Sequence, residues 1–169
     1  ITDCLCYGNP EKPQQMWEFV EGVRGINDAC KKITLKHSPE EPTPIIAGNV
    51  SFYNESKNRP IPPSPIVSCL GKIKNVKKTI TMSFKKEGSA LIMIGKRKNE
   101  LGGSIYYSLH NELGRNVPKP NLVEVKNQIY SLTDCIAQDL IIACHDISEG
   151  GIAAALSEMT FEYSIGCDV

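Results

Sequence analysis

Four prolines within six residues, Pro60, Pro62, Pro63 and Pro65, exclude a helix across this stretch of the chain. Each lacks a backbone donor, and each presses the residue before it into an extended conformation. The stretch therefore reads as an extended connector, with one domain over residues 1–62 and a second over 63–169.

Before the connector, apolar side chains at Met16, Phe19, Val20, Val23, Ile26, Cys30 and Ile33 recur in steps of three and four, which predicts one amphipathic helix over 14–33. Pro13 fits the first turn of that helix, where a missing N–H costs nothing. Gly22 and Gly25 inside it each lower helix propensity by roughly 1 kcal/mol, which points to close packing against the helix. Ile45-Ile46-Ala47 then reads as a short strand that turns polar at Gly48-Asn49-Val50-Ser51. Beyond the connector, strands are expected over 66–73, 79–84 and 90–95. Gly102-Gly103-Ser104 opens a helix, and Asn121 with Glu124 resembles a capping box for another, with Leu122, Val125, Ile129, Leu132 and Ile136 at helical spacing. A continuously apolar run over 140–144 reads as a strand buried on both faces, followed by His145-Asp146-Ile147-Ser148-Glu149-Gly150-Gly151 and a last helix. Strands interleaved with helices make the fold class mixed α/β (α+β).

Composition excludes several classes. Nineteen basic and nineteen acidic side chains cancel, so no basic excess points to nucleic acid. No apolar run approaches the about 20 residues that span a bilayer, and the N-terminus has no basic-then-apolar signal pattern. The expected partners include neither nucleic acid nor membrane, and the expected location is cytoplasmic. Seven cysteines, an odd number without a C-x-x-C pair, read as free thiols. Cys4 and Cys6 would supply two of the four ligands that zinc takes, and no second cluster stands near them in sequence. His37 and His110 have no partner Cys or Ser at a recognisable spacing. The chain opens on Ile1-Thr2-Asp3 and closes just after a helical pattern, so both ends read as cut.

Three stretches carry possible chemistry. In Gly48-Asn49-Val50-Ser51, glycine permits close approach to the backbone, the Asn carboxamide oxygen suits Mg²⁺, and the Ser hydroxyl both donates and accepts. The alternative is a polar strand end leading to a turn. In His145 to Gly151, Ser148 stands where it would cap a helix whose free N–H groups suit phosphate, although Glu149 opposes an anion there. His145 and Asp146 are adjacent, which on a strand would send their side chains to opposite faces. The third stretch, Asp3-Cys4-Leu5-Cys6-Tyr7-Gly8-Asn9-Pro10, reads as a strand and a turn.

The order of these stretches, with Met16-Trp17, Asn54-Glu55, Pro63-Ser64-Pro65 and Leu101-Gly102-Gly103-Ser104 between them, resembles the phosphoribosylformylglycinamidine synthases. These belong to the aminoimidazole ribonucleotide synthetase-like superfamily. The resemblance implies that residues 1–62 are the end of an ATP-binding N-terminal-type domain and that 63–169 are most of a C-terminal-type α/β domain. It implies an ATP-dependent ligase of purine biosynthesis that converts formylglycinamide ribonucleotide with glutamine-derived ammonia, using ATP and Mg²⁺. The ammonia would come from a glutaminase subunit or a fused glutaminase domain, with a small auxiliary subunit as a further partner. By the same resemblance Asp3 and Gly48 stand at ATP-contacting positions, Asn49 at a magnesium ligand and Ser51 at a substrate contact. No catalytic residue carries over, so the chain alone is expected to be inactive, a structural or interaction piece. Aminoimidazole ribonucleotide synthetase is the alternative within the superfamily, disfavoured by Asn54-Glu55 and by the form of the His145 motif. Cys6-Tyr7 stands where the family usually has Asn-Phe, and the loop before Gly48 is longer than is common.

Overall fold

The computed structural model describes residues 1–57 and 59–169. They fall into two compact units, one of residues 1–72 with 122–126, the other of 73–121 with 127–169.

In the first unit, β1 (Thr2–Cys6) is the centre of a three-stranded sheet. It pairs in parallel with β2 (Ala47–Ser51) and antiparallel with β5 (Ser64–Ser68). Helix α1 (Pro13–Lys32) makes the crossover between the parallel strands β1 and β2, and begins at the expected proline. A two-residue ribbon, β3 (Glu55–Ser56) with β4 (Arg59–Pro60), precedes β5.

The first unit runs on past residue 62, because the proline segment feeds straight into the sheet. Pro65 lies opposite Leu5, on an edge strand, where a residue without an N–H costs little.

The core of the first unit lies where α1 meets β1. Tyr7 is only 1% exposed and packs edge-on to Phe19 with ring centroids 5.4 Å apart; Phe19 in turn packs edge-on to Phe52 at 5.0 Å. The Tyr7 hydroxyl occupies the space where a side chain at Gly22 would begin, which explains that helix-interior glycine. Gly25 has open space around it, so close packing accounts for one glycine of the two. Burial pushes the Tyr7 phenol above its ordinary range, and the charge of Glu18 adds to this. The apolar stripe is only partly covered: Cys30 is buried, whereas Met16, Val20 and Val23 stay about 40% exposed. Gln15 is buried beside Gly8, with its Oε1 lacking a hydrogen-bond partner among the described residues.

The second unit holds the 3₁₀ turn η1 (Val76–Lys78), α2 (Ile105–Leu109), most of α3 (Leu122–Ala137) and α4 (Gly151–Met159). Helix α2 starts as expected after Gly102-Gly103, with Ser104 Oγ accepting from the Tyr107 N–H at 3.2 Å. The strands expected over 79–84 and 140–144 reduce to one parallel bridge, Thr81 with Ala143, closed by Cys144 N–H to Thr81 O at 3.2 Å. No strand forms over 90–95. A continuously apolar run becomes a buried strand only where neighbours cover both faces. Here Leu140 and Ile92 remain 68% and 78% exposed, so that condition is not met. The packed part of this unit gathers at the end of α4, where Ala155, Met159 and Ser83 are buried and the Phe84 N–H donates to Met159 O at 2.9 Å.

Candidate functional site

Residues 47–51 are themselves a strand, rather than the polar tip of one beginning at Ile45. Side chains along a strand alternate between its two faces, so the four candidate residues are divided between two surfaces. Asp3 is in register with Gly48, and Cys4 with Asn49.

Asp3 and Gly48 belong to the face that carries Leu5 and looks toward α1. An open hollow of about 450 Å³ there is bordered by Asp3, Leu5, Val20, Val23, Arg24 and Ile45. The Asp3 carboxylate lies over the Gly48 Cα, with Oδ1 2.5 Å from where a Cβ would stand. The absent side chain of Gly48 thus makes room for Asp3. Among the described residues that carboxylate makes no hydrogen bond or ion pair, leaving an acceptor-only group for a donor from elsewhere.

Asn49 and Ser51 share the opposite face with Cys4 and Cys6. Asn49 Nδ2 donates to Cys4 Sγ at 3.3 Å, and Cys4 Sγ lies 3.7 Å from Cys6 Sγ. The Cys6 thiol is raised above its ordinary value, chiefly by its hydrogen bond with Cys4. Amide nitrogen toward sulfur leaves the Asn49 carbonyl oxygen unengaged among the described residues. A second open hollow, about 390 Å³, gathers Asp3, Gly48, Asn49, Cys4, Ile66 and Ser68 along one end of the sheet. That volume falls within the roughly 300–1,000 Å³ of small-molecule sites.

Ser51 stands apart from both hollows, and its hydroxyl is engaged with Asn54. Asn54 Nδ2 donates to Tyr7 O at 3.0 Å, Ser51 O at 2.9 Å and Ser51 Oγ at 3.1 Å, and Ser51 Oγ reaches Asn54 Oδ1 at 3.2 Å. Asn54 therefore ties the ends of β1 and β2 together and orients Ser51, a role that its place in the motif did not disclose. The signal is conformational: Tyr53, just before it, adopts a positive φ of 59° that turns the chain back onto Gly8 and Tyr7.

The His145 motif differs from expectation. The chain has left strand geometry by Cys144, so the His145 and Asp146 side chains converge, with Nδ1 3.2 Å from Asp146 Oδ1. His145 Nε2 lies 2.5 Å from Glu158 Oε2 on α4. Ser148 does not cap α4. The N-cap is Gly150 in the left-handed region, with no side-chain hydrogen bond, because the turn needs a positive φ that glycine adopts freely.

The bond to Glu158, aided by Asp146 and opposed by burial, raises the His145 pKa above its ordinary value near 6.5. A raised histidine contributes stability in full below the unfolded pKa and loses it as pH climbs through the folded one. The His145 imidazole is accordingly expected to titrate above 6.5 by NMR, and Glu158→Gln to bring that midpoint down. An unshifted midpoint in the parent chain would show that the pair is not formed.

Comparison with known proteins places these features in a family. Residues 86–169 match the model described as AIR synthase related protein, C-terminal domain. The whole chain is 44% identical over 172 residues to phosphoribosylformylglycinamidine synthase subunit PurL of Methanothrix thermoacetophila, of which it covers 22%. It is 39% identical over 170 residues to the protein of the same name from Alkaliphilus metalliredigens, covering 22% of it, and 37% identical over 171 residues to that of Thermobifida fusca, covering 21%. All of the chain is matched in each of these comparisons, and it spans about a fifth of the length of these relatives. The chain belongs to the phosphoribosylformylglycinamidine synthase family, and its mixed α/β fold to the AIR synthase related proteins.

Proposed function

We propose that this chain is part of an ATP-dependent ligase that makes formylglycinamidine ribonucleotide from formylglycinamide ribonucleotide and glutamine-derived ammonia, in the cytoplasm. The observation that carries the reading is identity of 37–44% across the chain to subunits named for that synthase. A glutaminase, as a separate subunit or a fused domain, would supply the ammonia, and a small auxiliary subunit is a further partner.

The residues present fit a share of such a site. ATP supplies the phosphoryl group that activates the amide oxygen for displacement, and Mg²⁺ neutralises charge on the phosphates. Asp3 holds a half-buried carboxylate, unpartnered among the described residues and able to accept from a nucleotide's hydroxyl or amino group, and Gly48 gives that carboxylate its room. Asn49 offers a carbonyl oxygen, a ligand type suited to Mg²⁺, which takes one or two protein groups alongside phosphate and water. Ser51, held by Asn54, would present its hydroxyl to the ribonucleotide. Among the described residues no three His, Cys, Asp or Glu side chains gather as a metal cluster, so the carboxylates such a site needs would come from outside them. On this reading the 169-residue chain alone turns over no substrate.

Replacing Asn49 with alanine in the full-length protein that contains this chain tests the metal assignment. Loss of one neutral ligand is expected to raise the Mg²⁺ concentration for half-maximal ammonia-dependent activity about tenfold, or ~1.4 kcal/mol. An unchanged Mg²⁺ requirement would remove Asn49 from the site.

A further inference from the structure

The face of the first unit's sheet that carries Asn49 also carries two thiols at a distance suited to joint ligation. We propose that Cys4 and Cys6 form a two-thiol chelating site for a thiophilic ion, with the Asn49 carboxamide beside it. Their sulfurs are 3.7 Å apart on one face of β1, and both side chains are partly accessible. Two thiolates bound to one ion at about 2.3 Å with tetrahedral angles lie about 3.8 Å apart. The pair already has that spacing and needs no backbone movement to close on an ion.

The competing use of two such thiols is a disulfide, and the geometry disfavours it. Sulfur atoms would have to approach to about 2.05 Å, while residues i and i+2 of a strand have Cα atoms about 6.6 Å apart, near the upper limit of roughly 6.8 Å for a disulfide. Chelation keeps the strand as it is. β1 is the central strand, hydrogen-bonded on both sides, which resists the local contraction that a disulfide would need.

No third Cys, His, Asp or Glu joins the pair among the described residues. The occupant is therefore an ion content with two protein sulfurs, soft rather than hard. The Asn49 amide, 3.3 Å from Cys4 Sγ, already engages the sulfur that would carry negative charge when an ion binds. The inference stands apart from the proposed ligase function, since it concerns sulfur chemistry and requires neither ATP nor Mg²⁺.

Phenylarsine oxide is a suitable probe because its As=O group condenses with two thiols. Two As–S bonds form, both S–H bonds break, and the oxygen leaves with the two protons as water, without change of oxidation state. In the full-length protein, peptide mapping after alkylation is expected to show Cys4 and Cys6 protected together by the arsenical. A dithiol should release it and a monothiol at equal thiol concentration should not. Cys4→Ser and Cys6→Asn, each checked for folding by circular dichroism, are each expected to weaken retention on the order of 100-fold, the penalty for losing the second, effectively intramolecular contact. Cadmium ion should give a thiolate charge-transfer band that is lost in the same two variants. Protection at other cysteines only, release by monothiol, or retention unchanged in both variants would overturn the proposal. The first two readouts use the unaltered protein, so a folding defect in a variant does not protect the proposal from failing.

Discussion

Replacing Tyr7 with alanine is expected to destabilise the first unit by about 3–5 kcal/mol, the cost of deleting a fully buried aromatic side chain. Tyr7 is 1% exposed and sits where β1, α1 and Phe19 meet. Phe19 in turn packs edge-on to Phe52, next to the end of β2, so the loss would spread through the ring stack to both strands. Stabilities of folded domains commonly total about 5–15 kcal/mol, so this one change removes a large share. Two glycines on the same helix give an internal control. Alanine normally stabilises a helix interior relative to glycine by roughly 1 kcal/mol. Gly25→Ala, with nothing near its Cβ position, should show that gain. Gly22→Ala would collide with the Tyr7 hydroxyl and should instead lose about 1–3 kcal/mol through overpacking. Trp17, the single tryptophan, lies on α1 and reports unfolding by fluorescence in denaturant. Stabilisation by Gly22→Ala equal to that by Gly25→Ala would show that Tyr7 does not occupy the place described.

Local rules made α1 legible, since a stripe at helical spacing and a proline at the first turn act within the segment itself. The helix runs over Pro13–Lys32, one residue from the expected span at either end. The start of α2 after Gly102-Gly103-Ser104 was legible for the same reason, although the Ser104 cap was not singled out. Residues 47–51 were less so. Ile45 and Ile46 made the strand look as if it began with them and turned polar at its end, whereas the register with Thr2–Cys6 starts it at Ala47. Side chains alternate between faces wherever a segment is strand, and pairing partners distant in sequence decide which segment that is. Consequently the motif kept its residues together in sequence while the sheet set Gly48 and Asn49 on opposite sides. The turn at His145 was misread for a related reason: adjacency excludes a pair only while the strand persists, and the strand gives out before it. Gly150 took the cap expected of Ser148 because the turn's handedness outweighed a hydroxyl's capping ability.

The division of faces leads to the other large effect, at Gly48. A Cβ there would lie 2.5 Å from Asp3 Oδ1, 2.9 Å from its Cγ and 3.0 Å from its Oδ2, so Gly48→Ala must displace the carboxylate. The displacement is easy, because no hydrogen bond or ion pair among the described residues holds that carboxylate. Backbone pairing between Asp3 and Gly48 is untouched, and alanine restricts an extended strand less unfavourably than glycine does. The fold should therefore persist, with a urea midpoint close to that of the parent. If Asp3 contacts nucleotide as proposed, its moved carboxylate loses a charge-assisted hydrogen bond of about 1.5–3 kcal/mol, a rise in the KM for ATP of order tenfold or more. Asp3→Asn should give a similar rise without any steric change, because it removes the charge while leaving Gly48 alone. The Mg²⁺ requirement, assigned to Asn49 on the other face, should stay put in both variants. An unchanged KM for ATP in Gly48→Ala and Asp3→Asn alike would mean that the glycine serves only to seat an aspartate within the sheet. A joint shift in ATP and Mg²⁺ dependence would mean that the two faces are not functionally separate.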